Sequence, residues 1–124
     1  LRCGEVVVVP IKHELSFAAD GSMDITSRSW PEPYSPSIDQ MMLNLAGQYA
    51  ALSGAIVFSG MGSDGSAAAA YMQRQGGLIW TQRGDSCVCP SMPDSLREAG
   101  YSKLSASPRE LASALVDHLA EQCS

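Results

Sequence analysis

Residues 55–71 read Ala-Ile-Val-Phe-Ser-Gly-Met-Gly-Ser-Asp-Gly-Ser-Ala-Ala-Ala-Ala-Tyr, and the fold follows from this stretch. Its first four residues are a short apolar run suited to a buried strand. Gly60, Gly62 and Gly65 permit a tight turn, and the alanines after Gly65 have the highest helix propensity of any residue. A strand, a loop and a helix in that order put the loop at the carboxyl end of a strand, where α/β proteins carry binding and catalytic groups. Asp64, lodged between Ser63 and Gly65, is therefore the first candidate functional residue.

Upstream of this unit, Ser35-Pro36 opens a helix with a capping hydroxyl and a proline in the first turn. Apolar positions 38, 41, 42, 45, 46, 49 and 52 follow one helical face, and Gly54 ends it. Three prolines alternate with Trp30, Glu32 and Tyr34 before that helix, which predicts an ordered loop anchored by the two aromatics. The runs 15–18 and 23–26 flank Asp20-Gly21, a dipeptide suited to a tight hairpin turn, so a small antiparallel hairpin is expected. Val6, Val7, Val8 and Val9 form a continuous β-branched run of the kind buried on both faces of a parallel sheet, and are expected to be the first strand.

Downstream, Gly76-Gly77 stops the alanine-rich helix and residues 78–82 read as another strand, implying a parallel, right-handed crossover. A loop over 83–92, a short helix over 93–99 closed by Gly100, and a brief strand near 103–105 follow. Ser107-Pro108-Arg109-Glu110 combines a capping box with proline at the first helical position, and Leu111, Ala114, Leu115, His118 and Leu119 form the expected buried stripe. The predicted class is α/β: a mostly parallel, doubly wound, Rossmann-like sheet with a small antiparallel hairpin.

The 124 residues suffice for one domain. A net charge of -5 with eight scattered Lys and Arg residues gives no electrostatic footprint for nucleic acid or an anionic membrane. Cys87-x-Cys89 has the wrong spacing for a zinc knuckle or a thioredoxin-type site, so reduced thiols in a cytoplasmic protein are expected, with Cys3 and Cys123 also unpaired. No stretch has the length of a membrane span, and the start, Leu1-Arg2-Cys3-Gly4-Glu5, is neither a signal peptide nor an initiator. It suits a fragment or a processed product.

The chemistry of Asp64 has several readings. Gly60-Met61-Gly62-Ser63-Asp64-Gly65 matches the dinucleotide pattern Gly-x-Gly-x-x-Gly, and Asp85 lies about twenty residues on, where a ribose-binding acid would stand. An aspartate among the amides that cradle a pyrophosphate sets like charge against like charge, which weakens that reading. As a helix cap, Asp64 would contribute about 1 kcal/mol. As the orienting acid of a Ser-His-Asp triad it would use the same backbone donors to stay ionised, so these two roles are compatible. His13 and His118 are the only histidines; the first follows a strand and the second lies on a helix stripe, and no serine sits in a Gly-x-Ser-x-Gly elbow.

Ser59-Gly60-Met61-Gly62-Ser63-Asp64-Gly65 resembles the Thr-Gly-Met-Gly-x-Asp-Gly block of the chemotaxis protein-glutamate methylesterases, in the catalytic domain of the CheB-type response regulators. Pro36-Ser37-Ile38-Asp39, Gly76-Gly77, Gln82, Ser86-Cys87-Val88 and Met92-Pro93 support the resemblance in order and spacing over nearly the whole chain. Ser35 and Glu14 depart from the family, which tends to have Arg and His there, and Cys89-Pro90 stands where it is usually apolar.

The resemblance implies a Ser-His-Asp triad whose acid matches Asp64, with Gly60, Met61 and Gly62 in the same loop and the Met61 amide as an oxyanion donor. The family's serine and histidine lie upstream of the region that Val6 begins to match. The chain is thus expected to be the carboxyl-terminal two-thirds of the catalytic domain, inactive alone, and needing no metal or cofactor. The implied activity is hydrolysis of glutamyl methyl esters, with possible glutamine deamidation, on the cytoplasmic helices of methyl-accepting chemoreceptors. A receiver domain would precede it in the parent protein, and open sheet edges would favour a homodimer. A degenerate module that binds receptor or signalling partners without catalysis, and a nucleotide-binding domain, are the alternatives.

Overall fold

The structure, a computed structural model, describes residues 4–18, 20–30, 36–60 and 65–122. The chain divides into two compact units, one comprising residues 1–54 and 64–77, the other residues 55–63 and 78–124.

In the first unit, strands β1 (Leu15–Phe17) and β2 (Met23–Ile25) pair antiparallel, with Phe17 opposite Met23. The Asp20-Gly21 turn closes as expected: the Asp20 carboxylate accepts the Ser22 amide and hydroxyl at 2.9 and 2.6 Å, and Gly21 takes φ 86°. Leu15 and Phe17 join the buried Trp30, whose indole N–H donates to the Pro10 carbonyl at 2.7 Å. Trp30 thus anchors its loop, whereas Tyr34 lies outside the described residues.

Helix α1 (Ile38–Tyr49) covers this cluster with Met41, Leu45 and Tyr49. The Asn44 carboxamide seals the exposed backbone of β1 in both directions, accepting the Phe17 N–H at 2.7 Å and donating to the Phe17 carbonyl at 3.1 Å. Met42 and Ala46 face elsewhere and are buried, in the contact between α1 and helix α2 (Ser66–Arg74), which buries Ala68, Ala69 and Met72.

Three expectations for this unit are corrected. The cap of α1 is Ser37, whose hydroxyl accepts the Gln40 amide at 3.2 Å; Ser35 lies outside the described residues. The helix ends at Tyr49 and passes into a 3-10 turn, Ala50–Leu52, so Leu52 leaves the apolar face and is largely exposed. Val6, Val7, Val8 and Val9 form no strand: Val6 and Val8 are 92% and 90% exposed, while Val9 packs on the Trp30 cluster. Strand propensity needs a neighbouring edge to complete its ladder, and no strand pairs with this run among the described residues.

In the second unit, strands β3 (Gly54–Val57), β4 (Leu78–Gln82) and β5 (Leu104–Ala106) form a parallel sheet in the order β3-β4-β5. Trp80 stands opposite Leu104 and Gln82 opposite Ala106. Backbone bonds from Lys103 to Ile79 and from Arg83 to Ala106, both 2.8 Å, extend the pairing at either end. Helix α3 (Ser91–Glu98), starting two residues before the expected Pro93, contributes Met92, Pro93 and Leu96 to the core around Ile79 and Thr81.

Helix α4 (Pro108–Gln122) begins at the expected capping box: the Ser107 hydroxyl donates to the Glu110 carboxylate at 2.7 Å and accepts the Glu110 amide at 3.3 Å. Its stripe is covered only in part. Leu111 is buried, His118 meets Trp80 edge to face at 6.0 Å, and Leu115 and Leu119 are exposed, because β4 and β5 are too short to reach along the whole helix. No helix among the described residues is long and apolar enough to cross a membrane.

Candidate functional site

The loop that leaves β3 holds the predicted site. Met61, Gly62, Ser63 and Asp64 lie outside the described residues, while Gly60 and Gly65 on either side are described.

On the β3 side, the backbone of Ser59 and Gly60 is fastened at almost every polar atom. The Ser59 amide donates to Gln82 Oε1 at 2.8 Å. The Ser59 hydroxyl accepts the Cys89 amide at 2.9 Å and lies 3.1 Å from the Cys89 carbonyl. The Gly60 amide donates to that same carbonyl at 2.8 Å, and the Gly60 carbonyl accepts the Met92 amide at 3.1 Å and the Ser91 hydroxyl at 3.2 Å. The 87–92 segment, the loop before α3 and its first two residues, thus acts as a short partner for the end of β3 where the strand stops. Met92 packs beside Gly60, its terminal carbon 3.6 Å from where a β-carbon would stand.

Gln82 organises this arrangement. Its carboxamide, buried at the end of β4, accepts from Ser59 and donates through Nε2 to the Ser86 carbonyl at 2.9 Å. Ser86 lies in a 3-10 turn, Gly84–Ser86, closed by its own hydroxyl on the Arg83 carbonyl at 2.7 Å. One side chain therefore joins the exits of two adjacent strands.

On the α2 side, the cap position is Gly65, with φ 99° and ψ -18°; Asp64, for which a capping reading was open, lies outside the described residues. A glycine stands there for two reasons: its left-handed conformation, and the Ile38 methyl that would lie 3.1 Å from any β-carbon. A glycine cap offers no side-chain acceptor to the first turn. The acceptor comes from α1, where Asp39 Oδ1 takes the Ala68 amide at 3.0 Å.

Charge around the β4 exit is modest and exposed. Arg83 pairs with Asp85 at 2.6 Å and with Glu110 at 3.5 Å, and the Asp85 bond raises its pKa above the ordinary arginine value. Burial pushes the Cys87 thiol above its ordinary 9.0, with Asp94 adding to the effect; Cys87 and Cys89 are both free. Asp85 is thus engaged by Arg83 in the turn after β4. Among the described residues no three His, Cys, Asp or Glu side chains converge as a metal site would require. His13 is on an exposed bend, and His118 is occupied with Trp80.

Sequence reasoning missed three parts of this site. Gln82 and Asp39 entered only through a resemblance, Ser59 stood in the recognised block with no role assigned, and the clasp that Cys89 and Ser91 make on Ser59 and Gly60 carries no motif of its own. A buried glutamine closing an otherwise apolar strand was the one available signal, since such a carboxamide must find partners.

A strand-loop-helix unit at the carboxyl edge of a parallel sheet defines the class: a Rossmann-like α/β domain with its candidate site in the loop after β3. Residues 1–115 match the CheB methylesterase family, and the chain belongs to that family. It is 35% identical over 119 residues to a protein-glutamate methylesterase/protein-glutamine glutaminase 1 of Shewanella denitrificans, covering 94% of this chain and 31% of the relative. A protein-glutamate methylesterase/protein-glutamine glutaminase 3 of Anaeromyxobacter dehalogenans is 31% identical over 116 residues, covering 93% and 34%. The fold matches the crystal structure of the Thermotoga maritima CheB methylesterase catalytic domain with a TM-score of 0.76 at 21% identity, over 87% of this chain and 58% of that one. The chain therefore spans about a third of the length of these two curated relatives.

Proposed function

We propose that this chain supplies the acid of a Ser-His-Asp triad in a protein-glutamate methylesterase, with Asp64 as that acid and chemoreceptor methyl esters as substrate. The observation that carries the reading is the fastening of the β3 exit from which the loop containing Asp64 departs: the Ser59 amide by Gln82, and Gly60 by the 87–92 segment. A triad acid acts by orientation, and a strand exit held in place supports it. The relatives' names supply the reaction, hydrolysis of protein glutamyl esters and of glutamine amides.

In the proposed reaction, serine and histidine come from outside this chain. The serine oxygen attacks the ester carbonyl as histidine takes its proton, and the tetrahedral oxyanion is held by backbone donors that include the Met61 amide. Histidine then returns the proton to the departing methanol, and water releases the glutamate from the acyl-enzyme by the same steps. Asp64 accepts from the other imidazole N–H, fixing the tautomer and stabilising the imidazolium. With glutamine as substrate, ammonia leaves in place of methanol. The reaction calls on no metal or cofactor, and a cytoplasmic location with a receiver domain in the parent protein belongs to the same reading.

The test is Asp64→Asn in the complete protein. Activity on methylated receptor is expected to fall by about 10⁴-fold with folding intact, because asparagine cannot select the tautomer. Near-normal activity would leave Asp64 a purely structural role, which asparagine fills about as well.

A further inference from the structure

We infer that Gln82 is a positioning residue for the reaction, holding the exit of β3 so that the 60–65 loop presents its groups in register; this rests on the role proposed for that loop. Gln82 lies one strand away from the loop and has no place in the proposed proton transfers. Its carboxamide nonetheless ties the Ser59 amide to the turn after β4, accepting at 2.8 Å and donating to the Ser86 carbonyl at 2.9 Å. Both polarities are used. A residue that only accepts leaves the Ser86 carbonyl unpaired, and one that only donates leaves the Ser59 amide unpaired.

Position is transmitted in one step. Ser59 carries both the amide that Gln82 holds and the hydroxyl that clasps Cys89, and Cys89 in turn accepts the Gly60 amide. Loss of the Gln82 bond releases the amide of the residue before Gly60 while its hydroxyl stays on Cys89, and small displacements at such a point are felt in turnover more than in binding.

The experiment uses the complete protein with methylated receptor as substrate. Gln82→Met, of similar length and without hydrogen bonds, is expected to lower kcat by about 10- to 100-fold, the range for residues that orient a reacting group, with KM within about twofold. Amide exchange of the segment containing Ser59 and Gly60 should quicken while that of α4 stays unchanged. Gln82→Glu gives a pH signature. As a carboxylate it accepts from Ser59 but repels the Ser86 carbonyl, whereas protonated it can make both bonds. Burial raises the pKa of such a carboxyl, so the ratio of Gln82→Glu to wild-type kcat should rise as pH falls.

A loss of stability alone would follow the same pH trend through the folded fraction, so kcat is taken per folded molecule, with the folded fraction measured at each pH by circular dichroism; a structural role alone then gives a flat ratio. If Gln82→Met fails to fold, the pH ratio of Gln82→Glu decides. Unchanged kcat in Gln82→Met, or a flat pH ratio in a folded Gln82→Glu, overturns the inference. Asp64→Asn in the same assay separates the two claims: activity there removes Asp64 from the mechanism, while the Gln82→Met effect on kcat still judges the positioning role through the rest of the loop.

Discussion

Helices α2 and α4 are both rich in alanine and small residues, yet their amino ends are built in opposite ways. The start of α4 is self-contained: Ser107 and Glu110, three residues apart, satisfy each other's backbone and side-chain groups. The start of α2 is assembled from distant parts, with a left-handed glycine at the cap and an acceptor contributed by Asp39, 29 residues earlier. A locally capped helix can begin before its surroundings form, whereas α2 needs α1 in place first. The candidate catalytic loop runs into the second kind of start, which couples its geometry to tertiary packing.

Gly65→Ala attacks the nonlocal start most severely. The alanine must hold φ near 99° and place its β-carbon about 3.1 Å from the Ile38 methyl. Backbone strain and overpacking together predict a loss of about 2–4 kcal/mol. Urea unfolding of the variant checks this, and a change below about 0.5 kcal/mol, the range of neutral surface substitutions, would show that the cap relaxes freely.

Asp39→Ala removes the borrowed acceptor and leaves the Ala68 amide without it. A cost of about 1–2 kcal/mol is expected, as for loss of an ordinary cap, with Asp39→Asn much milder because the amide oxygen still accepts. Faster exchange of the Ala68 amide in the alanine variant would locate the effect. Equal losses in both variants would mean that charge, not the hydrogen bond, is what Asp39 contributes.

The local start gives the smallest effects. Ser107→Ala should cost about 1 kcal/mol by removing the capping hydroxyl. It should also release Glu110, whose pKa the Ser107 hydroxyl holds below the ordinary 4.5, with the Ser107 amide and Arg83 adding to it. The sign follows from linkage. A carboxylate with a lowered folded pKa contributes stability that is present above its unfolded value and lost as pH falls through the folded one. Acidification below 4.5 should therefore weaken wild type more than Ser107→Ala. A carbon-detected titration of Glu110 in both proteins measures this directly.

The same division explains which features were legible. The Asp20-Gly21 hairpin and the start of α4 rest on contacts within a few residues, and β3, β4 and the body of α2 show a local apolar or alanine pattern, so their residue types announced them. The valine run at positions 6–9 failed as a strand because propensity supplies only one side of a ladder. The α4 stripe was overread because periodicity shows which residues share a face, but not how far a neighbour extends to cover it. Of the site, Asp64 and its glycines were found from a pattern and a resemblance, and Ser59, Gln82 and Asp39 entered through the resemblance alone, without the fastening role that the structure gives them.

Sequence alone determined the α/β class, the order of elements and the loop after β3, since hydrophobic period, turn residues and local caps act between near neighbours. Tertiary structure decided which distant side chains complete those elements: Asn44 on the edge of β1, Asp39 at the start of α2, and Gln82 between the exits of β3 and β4. The reason is physical. A polar side chain has many satisfactory partners in an open chain, and only packing, by removing water and bringing one orphan amide within 3 Å, selects among them.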